Sequence, residues 1–278
     1  MLPPNMTALF RYVRERIATY GDVAEVRAVA YLLLEEGFGV TPMDIYTDKV
    51  KQFSAEEAQQ LDTYLQRLAK GEPLQYVLGR ALFLDRWFAV SHSVLIPRPE
   101  TEELAQWVIA EQAAHNGRLI DGGTGSGCLA VTLALALKEA QVEAWDISLE
   151  ALAVAKDNAT QWQAPVVFHH QDLLASAGQL SSCDVVVSNP PYVRDLEAKE
   201  MAERVVAHEP HLALFVPDDD ALRFYHALAR LGAGTVYCEI NEYLPEETRA
   251  LFVEQGYATT LRTDAYGKTR MLKAWRNG

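Results

Sequence analysis

Asn189-Pro190-Pro191-Tyr192 places an amide side chain, two proline carbonyls and an aromatic ring in one short segment. Neither proline has an N–H to donate, and Asn189, which precedes a proline, is biased to an extended backbone. The segment closes the apolar run Val185-Val186-Val187, so it reads as a stiff corner at the exit of a buried strand. Such a corner can grip a planar N–H2 group. Taken alone it can equally be a strand-ending turn with a packed tyrosine. A second stretch, Asp121-Gly122-Gly123-Thr124-Gly125-Ser126-Gly127, carries spaced glycines at 123, 125 and 127. They let the backbone pass close to a ligand and turn into a helix. Asp146 closes the next strand, about twenty residues on, where a carboxylate can accept both hydroxyls of a ribose. Asp172 closes the strand after that and can accept from an adenine amino group.

Together these residues describe a site for an adenosine-containing cofactor. The glycines alone leave its identity open, since Gly125 to Ala130 also fits the loose G-x-G-x-x-A dinucleotide pattern. The carboxylates discriminate further. A pyrophosphate gains from basic or neutral surroundings, whereas a cationic cofactor such as S-adenosylmethionine is matched by Asp121 beside the loop.

These residues need a scaffold that brings strand ends together. After residue 117 the pattern alternates: strands at 118–121, 142–146, 166–170, 184–187 and 235–240 are separated by helical stretches. Two further strands, 257–261 and 269–275, read as an antiparallel pair. Such alternation predicts an α/β fold of the Rossmann-like kind, with a seven-stranded, mostly parallel sheet and helices on both faces. In an open sheet of this type the ligand crevice lies at the carboxyl ends of the strands. Residues 5 to 70 read instead as helices. Asp22 caps one, Thr41-Pro42 opens another, and Ser54-Ala55-Glu56-Glu57 forms a capping box. Tyr76, Val77, Phe83, Leu84, Trp87, Phe88 and Val90 suggest short strands with turns at Gly79-Arg80 and Asp85-Arg86. Thr101 reads as the cap of an acidic helix start. The expected organisation is a helical N-terminal domain over 1–72 for substrate recognition, a β-hairpin linker over 73–96 and a catalytic domain over 97–278.

The chain has 278 residues, with 49% hydrophobic and 23% charged, as expected of a soluble globular protein. Its 38 acidic against 25 basic side chains leave a net charge of −13, so general attraction to nucleic acid is not built in. Cys128, Cys183 and Cys238 each lie in an apolar stretch, with no Cys-x-x-Cys, and are expected to be buried reduced thiols of a cytosolic protein. The N-terminus has no signal-peptide core, and no run approaches the ~18–20 apolar residues of a membrane span. No metal site is expected: His169-His170 alternate across a strand, and Pro210 breaks any helix that would align His208 with His211. Trp107 and Trp162 read as packing residues.

Asp121 to Gly127, Asp146, Asp172 and Asn189 to Tyr192, in this order, resemble a class I S-adenosylmethionine-dependent methyltransferase acting on nitrogen. Gly71-Glu72-Pro73-Leu74-Gln75-Tyr76-Val77-Leu78-Gly79 and Val94-Leu95-Ile96-Pro97-Arg98-Pro99-Glu100-Thr101-Glu102 narrow the resemblance to the HemK/PrmC family. That family methylates the glutamine of the Gly-Gly-Gln tripeptide in class-1 peptide chain release factors. The resemblance implies S-adenosylmethionine as cofactor, S-adenosylhomocysteine as product and release factors as protein substrate. No direct nucleic-acid partner and no membrane is implied, and the location is cytoplasmic. It implies a cofactor site of Asp121, Gly123, Thr124, Gly125, Ser126, Gly127, Asp146, Asp172, Leu173 and Asn189. Asn189, Pro190 and Tyr192 are the expected catalytic residues, and Asn189, Pro190, Pro191, Tyr192 and Arg98 the expected substrate contacts. Arg98 is expected to anchor substrate backbone or Glu100. The Asn-Pro-Pro-Tyr motif alone is shared with adenine-N6 methyltransferases, so a nucleic-acid N-methyltransferase is the alternative.

Three departures from the family pattern stand out. Gly122 replaces a usual leucine, which should loosen the loop. Asn241-Glu242-Tyr243 stands where glycine and later glutamine are common. Phe215 to Asp220 replaces a glycine-bearing stretch, and Asp218-Asp219-Asp220 reads as a helix N-terminus.

Overall fold

A computed structural model describes residues 2–181 and 184–276. Cys183 lies outside the described residues; Cys128 and Cys238 are buried free thiols. The chain divides into two compact units, Met1–Arg80 and Ala81–Gly278. Among the described residues no helix is long and apolar enough to cross a membrane.

The first unit is helical: α1 (Met6–Arg16), α2 (Val23–Phe38), α3 (Pro42–Tyr46), α4 (Ala55–Ala69) and α5 (Leu74–Leu78). Side-chain caps set its helix starts. Asp22 accepts from the Glu25 N–H, and Thr41 and Ser54 each form a reciprocal capping box. Gly39 ends α2 in the left-handed region at φ 65°. Leu9, Val13, Leu33, Leu34, Leu61 and Leu65 meet in one apolar core. Residues 74–78 are helical where the sequence suggests a strand at Tyr76-Val77. The reason lies in α4. The Arg67 guanidinium, paired with Glu72, donates to the Tyr76 and Val77 carbonyls and so satisfies the end of a helix too short to stand alone.

The second unit opens with a hairpin, β1 (Arg80–Phe83) and β2 (Arg86–Ala89). Leu84 and Asp85 form its two-residue turn, both with positive φ (44° and 61°), the geometry that matches strand twist. Then follow α6 (Pro99–Glu111), β3 (Arg118–Gly122), α7 (Cys128–Ala136), β4 (Gln141–Asp146), α8 (Leu149–Trp162), β5 (Val166–His170) and β6 (Val185–Ser188). The long connection after β6 holds β7 (Val193–Arg194), α9 (Glu203–His208), α10 (His211–Leu214) and β8 (Phe215–Val216). The unit ends with α11 (Arg223–Arg230), β9 (Thr235–Glu239), α12 (Pro245–Glu254), β10 (Ala258–Thr263) and β11 (Thr269–Trp275). Asp218–Asp220 form a separate 3-10 turn before α11, so they do not open that helix.

The main sheet has seven strands in the order β10-β11-β9-β6-β3-β4-β5. All neighbours are parallel except β11, which runs antiparallel to β9 and β10. Alternation sends Val185 and Val187 into one core with Leu119 and Val142, and Val186 into the other with Ile120 and Val236. Both faces are therefore covered, which is why β6 reads as a continuous apolar run. The chain leaves β3 toward β4 and β5 and returns on the other side as β6. The switch point thus lies at β3.

Candidate active site

Register places the site. Gly122 pairs with Trp145 and with Ser188, and Ser188 pairs with Cys238. These residues form one row across four parallel strands. The residues that follow them are Gly123, Asp146, Asn189 and Glu239. Four chemically distinct groups therefore emerge at one level, above the carboxyl edge of the sheet. A cleft opens there, lined by Asp121, Gly123, Thr124, Gly125, Ser126, Asp146, Asp172, Leu173, Asn189, Pro190, Pro191 and Arg98. Two of the expected residues stand apart from its wall. Gly127 caps α7 and packs on α8: a Cβ there would sit 2.9 Å from Ala155 Cβ. Tyr192 lines an adjoining cleft, which shares Asn189, Pro190 and Arg98 with the first.

The glycine loop is held by short bonds. The Gly123 and Thr124 N–H groups donate to the Trp145 carbonyl at 2.8 and 3.0 Å. Gly123 and Gly125 have φ of 76° and 53°, and a Cβ on either would meet nothing within 4 Å. Backbone conformation, with open space in front, demands glycine at both. Gly122 is different. It is the last residue of β3, paired on both sides, and its carbonyl accepts from Ser188 Oγ at 2.6 Å. The loop is not loosened at this point: Leu173, 3.4 Å from where a Cβ would be, occupies the space a larger side chain would take.

Asp121 is buried. Its Oδ2 accepts from Thr124 Oγ1 at 2.6 Å and from the Ala130 N–H at 3.1 Å. Burial raises its carboxyl to about 7 against those two donors, with the Asp146 charge adding to the rise. Asp146 accepts from the Gly125 N–H through Oδ2 and from the Ser148 N–H through Oδ1, each at 2.9 Å. Each oxygen keeps a second acceptor position, enough for the two hydroxyls of a ribose. Burial also raises the Asp146 carboxyl. Next to it Ile147 is a half-exposed apolar side chain on the cleft wall, and Leu173 belongs to the same lining. Asp172 caps a 3-10 turn, its Oδ1 accepting from the Leu174 N–H at 2.8 Å. Apolar walls set with the Asp121, Asp146 and Asp172 carboxylates suit an adenosine-containing cation.

The acceptor side is built from distant parts of the chain. Asn189 Nδ2 donates to Thr101 Oγ1 at 3.0 Å, and Thr101 Oγ1 donates to Glu239 Oε1 in a short bond. Thr101 is not the cap of α6. Arg98 occupies that position, Pro99 is the first helical residue, and Thr101 is buried one turn in. The Tyr192 hydroxyl lies 3.5 Å from Glu239 Oε2, and burial raises its pKa. Burial lifts the Glu239 carboxyl to about 7, opposed by the Thr101 bond. Arg98 pairs with Glu209 at 2.6 Å and not with Glu100; Glu209, nearly fully buried, also accepts from the Ile96 N–H at 3.1 Å. Asn241, at the family's usual glycine, donates to the Tyr192 carbonyl and to Glu197 Oε2, each at 2.9 Å. It pins the far end of the tetrapeptide.

Glu239, Glu209 and Asn158 carry no motif, and the role of Thr101, which lies within the Val94 to Glu102 stretch, is not that of a cap. Only Glu239 left a signal: a carboxylate closing an apolar strand, as Asp121 and Asp146 do. Asn158, fully buried, donates to the Ser126 and Ala89 carbonyls and accepts from the Ala89 N–H, tying the hairpin to the glycine loop. Among the described residues no three metal-ligating side chains cluster. The ring of His211 meets the Val206 carbonyl at 3.0 Å. Trp107 and Trp162 pack in and against the core, the latter donating to the Trp87 carbonyl.

Two family models match the chain: the PrmC N-terminal domain over residues 8–79 and the methyltransferase small domain over residues 101–213. The release factor glutamine methyltransferase of Bacteroides thetaiotaomicron is 42% identical over 98% of this chain and 100% of that protein. The release factor glutamine methyltransferase of Flavobacterium psychrophilum is 38% identical over 93% of this chain and 95% of that protein. Among solved structures, the hMettl16 catalytic domain in complex with the MAT2A 3'UTR hairpin 6 superposes with a TM-score of 0.52 at 16% identity, over 83% of this chain and 85% of that one. At that identity the likeness speaks to the fold alone. With its α/β methyltransferase unit, its helical first unit and these relatives along nearly its whole length, the chain belongs to the release factor glutamine methyltransferase family.

Proposed function

We propose that the protein transfers a methyl group from S-adenosylmethionine to the side-chain amide nitrogen of the glutamine in the Gly-Gly-Gln motif of class-1 peptide chain release factors. The observation that carries this reading is the row of strand ends, which sets Asn189 at the same level as the glycine loop and Asp146. The cofactor supplies an electrophilic methyl group on a sulfonium.

The residues divide the work. Asp146 accepts the ribose hydroxyls, Asp172 the adenine amino group, and Ile147 and Leu173 flank the base. Asp121, deep in the cleft, faces the cationic end, and a nearby positive charge favours its ionised form. A glutamine amide nitrogen is a weak nucleophile, because its lone pair is delocalised into the carbonyl. Asn189 Oδ1 and the Pro190 carbonyl accept its two hydrogens and hold the nitrogen toward the methyl. Pro190 suits this role because its rigid backbone fixes the direction of the carbonyl. The Tyr192 ring packs on the amide and excludes water. Transfer is then mainly a matter of positioning: the N–CH3 bond forms as the C–S bond of the sulfonium breaks, S-adenosylhomocysteine leaves, and one amide hydrogen departs as a proton to water or a carbonyl. Arg98, locked by Glu209, stands where the two clefts join and contacts the incoming peptide. The helical N-terminal unit recognises the release factor, and the cytosol is where that substrate is found.

The test is transfer of a labelled methyl group, with purified release factor, DNA and rRNA offered in parallel. Label in release factor alone is the expected result. Label in DNA or rRNA alone overturns the substrate assignment.

A further inference from the structure

Thr101 joins two residues far from it in sequence, 88 and 138 positions away. Its hydroxyl is buried, has one proton and lies between an amide and a carboxylate. An ionised carboxylate only accepts hydrogen bonds. With Glu239 ionised, the Thr101 proton is committed to it, and the lone pairs of Oγ1 are what remain for Asn189. Only the Nδ2 end of the Asn189 side chain can donate to them. The amide is thereby held in one of its two orientations, with Oδ1 turned away from Thr101. No bond within the tetrapeptide imposes this, since a side-chain amide otherwise flips between two nearly isosteric states.

We infer that Thr101 and Glu239 are positioning residues that orient the Asn189 amide oxygen toward the acceptor nitrogen, so that the polarity of one buried hydrogen-bond chain sets the competence of the active site. The inference rests on the methyl-transfer reading above and adds two residues to it. Both are assigned their role through Asn189, although Thr101 also belongs to the lining of the cleft.

The same chain predicts a pH response. Facing Glu239 are Thr101 and Glu100 of α6, Tyr192 after β6, Arg270 of β11, and Tyr225 of α11, whose hydroxyl donates to the Glu239 carbonyl oxygen. Burial and Glu100 favour the protonated carboxyl, while Thr101, Arg270 and Tyr192 oppose them. A protonated Glu239 can donate to Thr101. The Thr101 proton is then released to donate to Asn189, and the amide turns its oxygen inward. Turnover at saturating cofactor should fall as pH drops through the Glu239 range.

Thr101→Val removes the hydroxyl at nearly constant shape, and Thr101→Ser restores it. In the full chain, with release factor as substrate, Thr101→Val should lower kcat about 100-fold, the scale expected for a misplaced reactive group. KM for S-adenosylmethionine should be unchanged, and Thr101→Ser should recover most of the loss. A folded Thr101→Val protein with wild-type kcat overturns the inference. Glu239→Gln provides a second test that does not depend on that variant folding. It replaces the titrating group with one that can still accept, so the acid limb of kcat between about pH 6 and 8 should disappear. An unchanged limb contradicts the inference. A wild type that labels only nucleic acid overturns the substrate reading instead. The Thr101 comparison is then made on that substrate, since an amide oxygen is needed to hold either kind of N–H2 group.

Discussion

The two halves of the cleft are assembled in opposite ways. On the cofactor side the fixing bonds are local: Thr124 to Asp121, Ser148 to Asp146 and Leu174 to Asp172 each span two or three residues, and Gly125 to Asp146 spans 21. On the acceptor side, Asn189 to Thr101 spans 88 residues, Arg98 to Glu209 spans 111, and Thr101 to Glu239 spans 138. Each half also buries one carboxyl, Asp121 or Glu239, with its pKa raised to about 7. The difference teaches that cofactor binding needs only a strand, a loop and a cap. Acceptor geometry needs the whole second unit to be folded. The halves meet along one row of the sheet but share few bonds, so they should be separable by mutation.

The largest expected effect is on the acceptor half alone. Asn189→Ala should lower turnover about 100- to 1000-fold, the scale for losing one preorganised hydrogen-bonding group. Calorimetry with S-adenosylhomocysteine should show affinity largely kept. Weakened cofactor binding in that variant would mean that the halves are not separable. Asp146→Ala is the converse. Loss of hydrogen bonds to a charged group should weaken cofactor affinity about 10- to 100-fold, while kcat at saturation is largely kept.

The two buried carboxyls sharpen the comparison through pH. Burial raises each carboxyl to about 7 in the folded protein, whereas in the unfolded chain each titrates near 4. Between those values the folded state binds more protons than the unfolded state. Stability of the cofactor-free protein should therefore fall as pH rises from about 4 to 7 and level off above. Chemical denaturation across that range measures the slope, and Asp121→Asn should remove roughly half of it. A flat profile would show that neither carboxyl is held protonated. Saturating S-adenosylmethionine should flatten the Asp121 share and leave that of Glu239. The smallest effect expected is that of Asn158→Ala, which leaves the Ala89 and Ser126 backbone groups without their partner. A loss of about 1–3 kcal/mol in stability, read by denaturant midpoint, should come with little change in kcat.

This division also explains what could be read before folding. The sheet, the glycine loop, Asp146, Asp172 and the Asn-Pro-Pro-Tyr corner are visible because strand periodicity, glycine spacing and proline pairs are local signals. Asp22, Thr41 and Ser54 announce their helices for the same reason. In sequence Thr101 resembles a cap because a threonine before acidic residues looks like one, and nothing nearby reveals a partner in β9. Arg98 reads as a partner for Glu100, two residues away, although its partner Glu209 lies beyond five strands and four helices. Residues 74–78 looked like a strand because their helix is sustained by Arg67 and not by its own periodicity. The departure at Asn241 was visible as a difference. Its bonds to Tyr192 and Glu197 are visible only in the folded chain.

The central claim, that the acceptor half presents a glutamine amide nitrogen to the cofactor half, is tested most directly by locating the methyl group. Release factor incubated with the protein and S-adenosylmethionine, then digested and fragmented in a mass spectrometer, should carry one added methyl on the side chain of the Gly-Gly-Gln glutamine. A methyl group on any other residue, or an unmodified glutamine after prolonged incubation with active protein, contradicts the account.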